Sequence, residues 1–289
     1  MNLKFYDNVK AFRDSVYDVL LPREAQNLVI LGNIIRGVKG EDTYDWRNPA
    51  GWVMASVAYS GEIRLVALMT PPFNIVLYAA DNVVDKDALA ALAGGLIARG
   101  IQPPGVVAEK SLAQAFTEIY CGIKGLGSRI EMNQRIYVLN AVNPEIPKIG
   151  ALRLADERDM SFLPFWAEGF YSNAGKPGVV SDDGEKYLYR IKQGRLYILE
   201  ARGTAVSMAC ISNEMVDVAG VGFVYTPPYF RGRGYASAIV AGISQMWLDK
   251  GFSGLVLYTD LSNPTSNSIY QKIGYRPIAD SLDIKFVEF

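Results

Sequence analysis

The chain has 289 residues, of which 50% are hydrophobic and 20% charged, as expected for a globular protein with room for two domains. Lys and Arg total 29 and Asp and Glu total 30, so the net charge is near zero and a nucleic-acid partner is not expected. The sequence has no histidine, which excludes histidine-dependent triads, histidine general bases and histidine metal ligands.

The two cysteines, Cys121 and Cys210, lack the spacing of a metal site and are expected to be free thiols in a reducing cytosol. Cys210 lies in the apolar run 205–211, which favours a core position over a nucleophile. The N-terminus lacks the apolar segment of a signal peptide, and the longest apolar stretch, 65–80, is interrupted by two prolines. We therefore expect a cytoplasmic protein with no membrane partner and no metal cofactor.

The first half reads as helices, a hairpin and further alternating elements. The predicted elements are helices at 1–21 and 23–36, a hairpin of 52–60 and 63–70, a strand at 74–80, a helix at 85–99, a strand at 106–108, a helix at 111–123 and a strand around 135–139. Segment 144–150 contains two prolines and a glycine. We interpret it as a linker between domain 1–143 and domain 151–289.

The second half reads as a strand, two helices, a hairpin, a long strand, and then helix, strand, helix and strand. The predicted elements are strand 151–154, helices 156–171 and 182–193, hairpin 196–201 and 204–211, strand 216–226, helix 236–250, strand 255–260, helix 263–273 and strand 284–289. In the long strand Val221, Phe223 and Tyr225 alternate with smaller or polar residues.

That long strand ends at Pro227-Pro228, because proline cannot donate to a sheet ladder. The tight turn Arg231-Gly232-Arg233-Gly234 follows, and Tyr235-Ala236-Ser237 begins a helix. Glycines let backbone N–H groups turn towards one point, and the first helical N–H groups have no partner within the helix. Together with the helix dipole and the arginines, this turn predicts a site for phosphate or pyrophosphate.

Arg231-x-x-Gly234-x-Ala236 resembles the Gln/Arg-x-x-Gly-x-Gly/Ala signature of the GCN5-related N-acetyltransferases (GNAT). Segment 255–277, with Asn263 at a helix start and Gly274-Tyr275 after the helix, is similar to a second part of that family. The resemblance covers 151–289. It implies an α/β (α+β) fold in which a mixed, mostly antiparallel sheet is flanked by helices.

The resemblance also implies transfer of an acetyl group from acetyl-CoA to a primary amine of a small-molecule or peptide acceptor. It implies that coenzyme A is held by Val224, Tyr225 and Thr226 along the pantetheine arm, by Arg231, Gly232, Arg233, Gly234, Tyr235, Ala236 and Ser237 around the pyrophosphate, and by Asn263. Tyr270 matches the family's usual general acid, which protonates the leaving thiolate. The general base stays open among Glu168, Glu200, Glu214 and Asp217.

The first half echoes the second. Thr70-Pro71-Pro72 matches Thr226-Pro227-Pro228, Gly100 matches Gly251, and Ile119-Tyr120 matches Ile269-Tyr270. These matches predict a duplication in which 73–76 stands where the glycine turn would be. We interpret the first domain as a degenerate GNAT-like copy that does not bind coenzyme A and that could cover the acceptor side.

Two other functions stay open. One is a non-catalytic acyl-CoA binder that acts as a sensor or interaction protein. The other is a nucleotide-phosphate enzyme of another class, although no Lys-Ser/Thr pair follows the glycines. A monomer or homodimer is expected, and loop 171–183 is expected to shape the acceptor pocket.

Overall fold

The computed structural model describes residues 1–40, 48–173 and 184–288. They divide into two compact units. The first unit comprises Met1–Ile136, Asp260–Ser262 and Ile278–Phe289, and the second comprises Tyr137–Thr259 and Asn263–Pro277.

Helices and strands follow the same order in both halves of the chain. The first half contains β1 (Asn2–Phe5), α1 (Val9–Leu20), α2 (Leu28–Lys39), β2 (Val53–Tyr59), β3 (Glu62–Met69), β4 (Ile75–Ala79), α3 (Lys86–Ala98), β5 (Gly105–Glu109), α4 (Lys110–Lys124) and β6 (Gly127–Leu139). The second half contains β7 (Ala151–Leu154), α5 (Leu163–Asn173), α6 (Gly184–Lys192), β8 (Leu196–Ala201), β9 (Thr204–Glu214), β10 (Val218–Tyr225), α7 (Tyr235–Asp249), β11 (Gly254–Asp260), α8 (Pro264–Ile273) and β12 (Arg276–Val287).

Each unit is built on a mixed, mostly antiparallel sheet, as predicted. In the first unit the strands lie in the order β1-β2-β3-β4-β5-β12, and β4 and β5 form its parallel pair. In the second unit the order is β7-β8-β9-β10-β11, and β10 and β11 form the parallel pair.

The last strand belongs to the first unit, whereas the predicted domain 151–289 assigns it to the second. β12 pairs antiparallel with β5 from Ser281 to Lys285. Leu282, Ile284 and Phe286 pack into the core of the first unit with α3 and α4. Burial of these apolar side chains ties the end of the chain to that core.

The predicted helix at 1–21 is wrong at its start, because β1 occupies its first residues and pairs antiparallel with β2. Phe5 fits the helical spacing of Val9 and Phe12, so periodicity alone could not separate a strand from the helix that follows it. The helix begins only where the Asn8 side chain accepts a hydrogen bond from the Ala11 N–H at 2.8 Å.

Both predicted hairpins are confirmed, and each turns through two residues with positive φ. The angles are 51° at Ser60 and 88° at Gly61 in one hairpin, and 53° at Arg202 and 74° at Gly203 in the other. Such turns match the right-handed twist of paired strands.

The proline matches between the halves are out of step by one strand. Pro71-Pro72 follows β3, whereas Pro227-Pro228 follows β10, the strand that corresponds to β4 by element order. The interpretation of 73–76 as the counterpart of the glycine turn is therefore wrong. The counterpart is the connection between β4 and α3, residues 80–85.

Two apolar clusters cover opposite faces of the second sheet. Tyr197 and Leu199 of β8 face a cluster with α7 and α8. Leu196 and Ile198 face a cluster with α5 and α6. Period-two alternation along the strand produces this division, and it places helices on both sides of β10.

Candidate functional site

Strand β10 carries a β-bulge near its end. Gly222 pairs with Cys210 and Tyr225 with Met208, so three steps along β10 span two along β9. Phe223, within the bulge, has φ 55°, which is unusual for a non-glycine residue. Val221 packs on the α7 side, whereas Phe223 and Tyr225 pack on the α5–α6 side. The regular alternation read from the sequence therefore breaks at Gly222.

Beyond the bulge, β10 has an open edge. Its parallel pairing with β11 runs from Val218 to Gly220, opposite Gly254 to Val256. β10 continues to Tyr225 and β11 to Asp260, and within the described residues no further pair joins them. The divergence leaves backbone groups of β10 available to a ligand that lies along this edge.

The glycine turn after β10 exposes the head of α7. Gly232 and Gly234 have φ 74° and 79°, a region that favours glycine. Gly234 is the N-cap, and no side chain caps this helix. The Ala238 N–H donates to the Gly234 carbonyl at 2.9 Å as the first helical hydrogen bond. The amides of residues 235–237 therefore have no acceptor within the helix.

Two exposed arginines flank this turn. Arg231 Nε donates to the Thr226 carbonyl at 2.9 Å. The Arg233 guanidinium lies 5.3 Å from the centre of the Tyr229 ring. These contacts keep positive charge beside the free amides without neutralising it, because neither partner is a carboxylate.

Ser207, which the sequence did not single out, ties down the end of β10. Its buried hydroxyl donates to the Tyr225 carbonyl at 3.0 Å and lies 2.9 Å from the Thr226 hydroxyl. A serine in a strand gives no sequence signal of this role. Ser207 precedes Met208, which pairs with Tyr225, so its role can be recognised only from the pairing of β9 with β10.

The corresponding helix head in the first unit is closed. The Asp85 carboxylate accepts from the backbone N–H groups of Asp87 and Ala88, at 3.0 Å each. The connection before it contains Asp81 and Asn82, both with φ 56°, in place of glycine and arginine. A carboxylate of the chain itself thus occupies the anion position at the head of α3.

Tyr270 lies on α8 in the second unit, partly buried. Its ring lies edge-on to Tyr275 with 6.0 Å between ring centres, and the Tyr275 hydroxyl lies 2.9 Å from Ser244 Oγ on α7. Burial raises the pKa of Tyr270 to about 12. Among the described residues its hydroxyl has no hydrogen-bond partner. It is a neutral phenol with a free proton at physiological pH.

The rotation of α8 is set at both ends of the helix. Asn263 caps it by accepting from the Ser266 N–H at 3.0 Å. The buried Tyr137 donates to Asn267 Oδ1 at 3.0 Å, and Gln271 Nε2 lies 3.2 Å from the same hydroxyl. Tyr137 was missed in the sequence, where it is one apolar residue among others in a strand.

Three of the four candidate bases are poorly suited to the role. Glu214 pairs with Arg195 at 3.2 Å and stands opposite Ala219, near the start of β10. Asp217 directly precedes that start. Both lie roughly 20–25 Å from the glycine turn at about 3.3 Å per strand residue. Glu200, in β8, lies at the end of the sheet nearer the glycine turn, but its carboxylate accepts a hydrogen bond from Arg153 Nε at 2.8 Å.

Glu168 differs from these three because it is exposed and its neighbour in α5, Gly169, lies against the end of β10. A Cβ built at the next residue, Gly169, would overlap the Tyr225 hydroxyl, so this turn of α5 lies against Tyr225. No described residue forms an ion pair with Glu168. Of loop 171–183, residues 174–183 lie outside the described residues.

Neither cysteine is an activated thiol. Burial raises the pKa of both the Cys121 and the Cys210 thiols, which keeps them protonated. Across 1–40, 48–173 and 184–288, no three Cys, Asp or Glu side chains are grouped so as to hold a metal ion. Over the same residues, every helix is too short or too polar to cross a bilayer.

Residues 163–275 match the model of the Acetyltransferase (GNAT) family. The family model therefore recognises a GNAT domain at residues 163–275, in the second half of the chain. The bulge, the open edge of β10, the glycine turn and Tyr270 all lie within the matched residues, whereas the first half lies outside the match. None of the curated proteins matches the chain significantly.

Solved structures with a similar fold cover both halves of the chain. A GNAT-family acetyltransferase from Colwellia psychrerythraea is 10% identical, with 99% of each chain covered and a TM-score of 0.59. A tandem GNAT protein from the clavulanic acid biosynthesis pathway is 11% identical over 99% of this chain and 98% of its own, with a TM-score of 0.58. A Drosophila protein is 10% identical over 99% and 98%, with a TM-score of 0.69. At these identities the likeness concerns the fold alone, and it extends over both halves.

Proposed function

We propose that this protein transfers an acetyl group from acetyl-CoA to the primary amine of an acceptor, and that the second unit performs the reaction. One observation carries the proposal: the uncapped head of α7 stands directly after a strand whose outer edge is open. The chemical fit of each part of coenzyme A to the residues present supports the proposal.

The diphosphate of coenzyme A fits the turn. Anions bind where several backbone N–H groups converge at the positive end of a helix. The amides of Tyr235, Ala236 and Ser237 meet that requirement, and the left-handed glycines Gly232 and Gly234 leave them uncovered. Arg231 and Arg233 add positive charge at an exposed site.

The pantetheine arm fits the open edge of β10. Its amides can pair with a strand as an extra strand would, and residues 224–226 are the part of β10 that follows the bulge. Ser207 holds the Tyr225 carbonyl on the opposite edge, towards β9. The strand end is therefore fixed before a ligand arrives, which lowers the entropic cost of binding.

When bound, acetyl-CoA supplies a thioester whose carbonyl carbon an amine can attack. Tyr270 donates its proton to the departing sulfur in this proposal, because a phenol with a pKa of about 12 is fully protonated at neutral pH. Tyr275, whose hydroxyl lies within hydrogen-bond distance of Ser244, packs edge-on against the Tyr270 ring. The amine loses its proton to Glu168, directly or through water.

The first unit, in this proposal, has lost coenzyme A binding. Asp85 already satisfies the amides at the head of α3 and brings a negative charge that repels a diphosphate. The first unit retains a parallel pair, β4 and β5, so the fold persists while the anion site is closed. This is the pattern expected of a degenerate copy.

The test combines binding and turnover on the full chain. Coenzyme A is titrated by calorimetry, and acetyl-CoA is incubated with a panel of primary amines while free thiol is measured. We expect one coenzyme A per chain and amine-dependent thiol release. Binding without release on any amine would favour the acyl-CoA sensor. Absence of binding would refute the proposal.

A further inference from the structure

Arg190, on α6 of the second unit, has a buried guanidinium nitrogen that no described residue satisfies. Its guanidinium lies 4.7 Å from the centre of the Phe223 ring. Tyr187 stacks on the same ring with an interplanar angle of 12°, and Phe170 contacts its edge at 5.0 Å. The Arg190 side chain is half-buried, and its Nη1 atom is buried with no hydrogen-bond partner among the described residues.

Neighbouring arginines are matched by acceptors of the chain. Arg153 donates to Asp159 and Glu200. Arg195, three residues after the end of α6, pairs with Glu214. A buried guanidinium nitrogen with no acceptor is costly, and native proteins rarely leave one without a role. Arg190 therefore differs from Arg195 in having a buried guanidinium nitrogen without an acceptor among the described residues.

The position of Arg190 relates it to the reaction. Phe223 occupies the bulge of β10, directly before residues 224–226, which are proposed to hold the pantetheine arm. Phe223 faces α5 and α6, whereas the glycine turn leads into α7, which packs on the other face. An anion on Arg190 would therefore lie beside the reacting end of the arm, away from the diphosphate.

We propose that Arg190 binds the carboxylate of the acceptor, so that the acceptor is an amino acid or another amine that carries a carboxylate. This inference rests on the proposed acetyl transfer and adds its substrate class. A guanidinium and a carboxylate are both planar and form directed hydrogen bonds, which is why arginine recognises this group. The rings of Phe223, Phe170 and Tyr187 keep water away from the pair and strengthen it.

The direct test is equilibrium binding of product-shaped probes to the full chain, with and without coenzyme A. The probes are N-acetyl amino acids and their amides, which share size and shape but differ in negative charge. We expect the carboxylates to bind about ten- to a hundred-fold more tightly than the amides, as a charge-assisted pair predicts. Equal affinity for acids and amides, or no binding of any acid, would overturn the proposal.

Variants assign the charge to one residue. Arg190→Gln should lose the preference for carboxylates while keeping coenzyme A affinity, and Arg190→Lys should retain part of it. Arg195→Gln, which removes a cation already paired with Glu214, should keep the full preference. If Arg190→Gln still prefers acids as the unaltered chain does, Arg190 is not the receptor.

A measurement on the unaltered protein covers the case in which Arg190→Gln does not fold. Phenylglyoxal modifies accessible arginines, and peptide mapping identifies which ones react. N-acetyl amino acids should protect Arg190 and their amides should not, while equal protection by both would overturn the proposal. If coenzyme A does not bind but N-acetyl amino acids still protect Arg190 better than their amides do, the acetyl-transfer proposal is refuted. The carboxylate site at Arg190 is then still supported.

Discussion

Replacement of Gly234 by glutamate tests the main-chain anion site at the head of α7. Gly234 has φ 79°, and a Cβ there would lie 3.2 Å from Ile149 Cδ1. An L-residue in the left-handed region costs about 1–2 kcal/mol. For a unit of this size, each kcal/mol lowers Tm by roughly 2–4 °C. The variant should therefore fold, with a modest loss of stability.

The effect on coenzyme A should be much larger than the effect on folding. The new carboxylate stands where the amides of residues 235–237 converge, at the predicted place of the diphosphate. Two unit charges about 4 Å apart near a protein surface interact by up to ~4 kcal/mol, and the exposed turn screens part of that. We expect affinity to fall at least ~100-fold, which corresponds to ~2.7 kcal/mol.

Gly203→Glu is the matched control. Gly203 has φ 74° in the exposed β8–β9 turn, and a Cβ there meets nothing within 4 Å. It carries similar backbone strain and the same new charge, but it is not part of the turn that precedes α7. Calorimetry should show wild-type coenzyme A affinity for Gly203→Glu and weak binding for Gly234→Glu. Equal affinity of the two variants would refute the role of the glycine turn.

Four further outcomes follow from the site. Tyr270→Phe should lower kcat about 10²- to 10⁴-fold with coenzyme A affinity unchanged. An unaltered kcat would show that Tyr270 is not the general acid. Because burial raises the pKa of Tyr270 from 10.0 to about 12, its contribution to folding stability is complete below pH 10 and is lost as pH rises towards 12. Tyr270 stays protonated below pH 10, so it should cause no fall in kcat in that range. Any fall in kcat below pH 10 that disappears in Tyr270→Phe would contradict this expectation. Glu168→Gln should lower kcat/KM about ten-fold or more. Wild-type activity of this variant would show that Glu168 is not the general base. Asp85→Ala should cost about 1 kcal/mol of stability through the lost cap while coenzyme A stoichiometry stays at one per chain; two sites in the unaltered protein would contradict the degenerate first unit.

Most of the helices and strands could be predicted from local sequence patterns. Two-residue turns such as Ser60-Gly61 and Arg202-Gly203 need residues that tolerate positive φ, so both hairpins were predictable. The start of the chain was not, because a short strand that ends at Phe5 continues the spacing of the helix after it. Its pairing with β2 is a contact between distant residues that periodicity cannot report.

The comparison of the two halves shows a different limit. Matching Pro71-Pro72 with Pro227-Pro228 joined strands that are not equivalent, since dipeptides carry no information about sheet position. Element order corrected the match and located Asp85 as the residue that stands at the head of the equivalent helix. The predicted lack of a glycine turn in the first half thus rests on residues 80–85.

The sequence by itself determined the chemistry of the turn, because glycine geometry, arginine charge and the start of a helix are local properties of consecutive residues. Tertiary structure alone decided the rest of the site. Pairing between β9 and β10 creates the bulge that turns Phe223 towards α6, and burial sets the pKa of Tyr270. Arg190 becomes a candidate binding residue only because its guanidinium lies against aromatic rings and its Nη1 has no acceptor among the described residues. Each of these features depends on contacts between residues far apart in the chain, and a linear pattern does not encode such contacts directly.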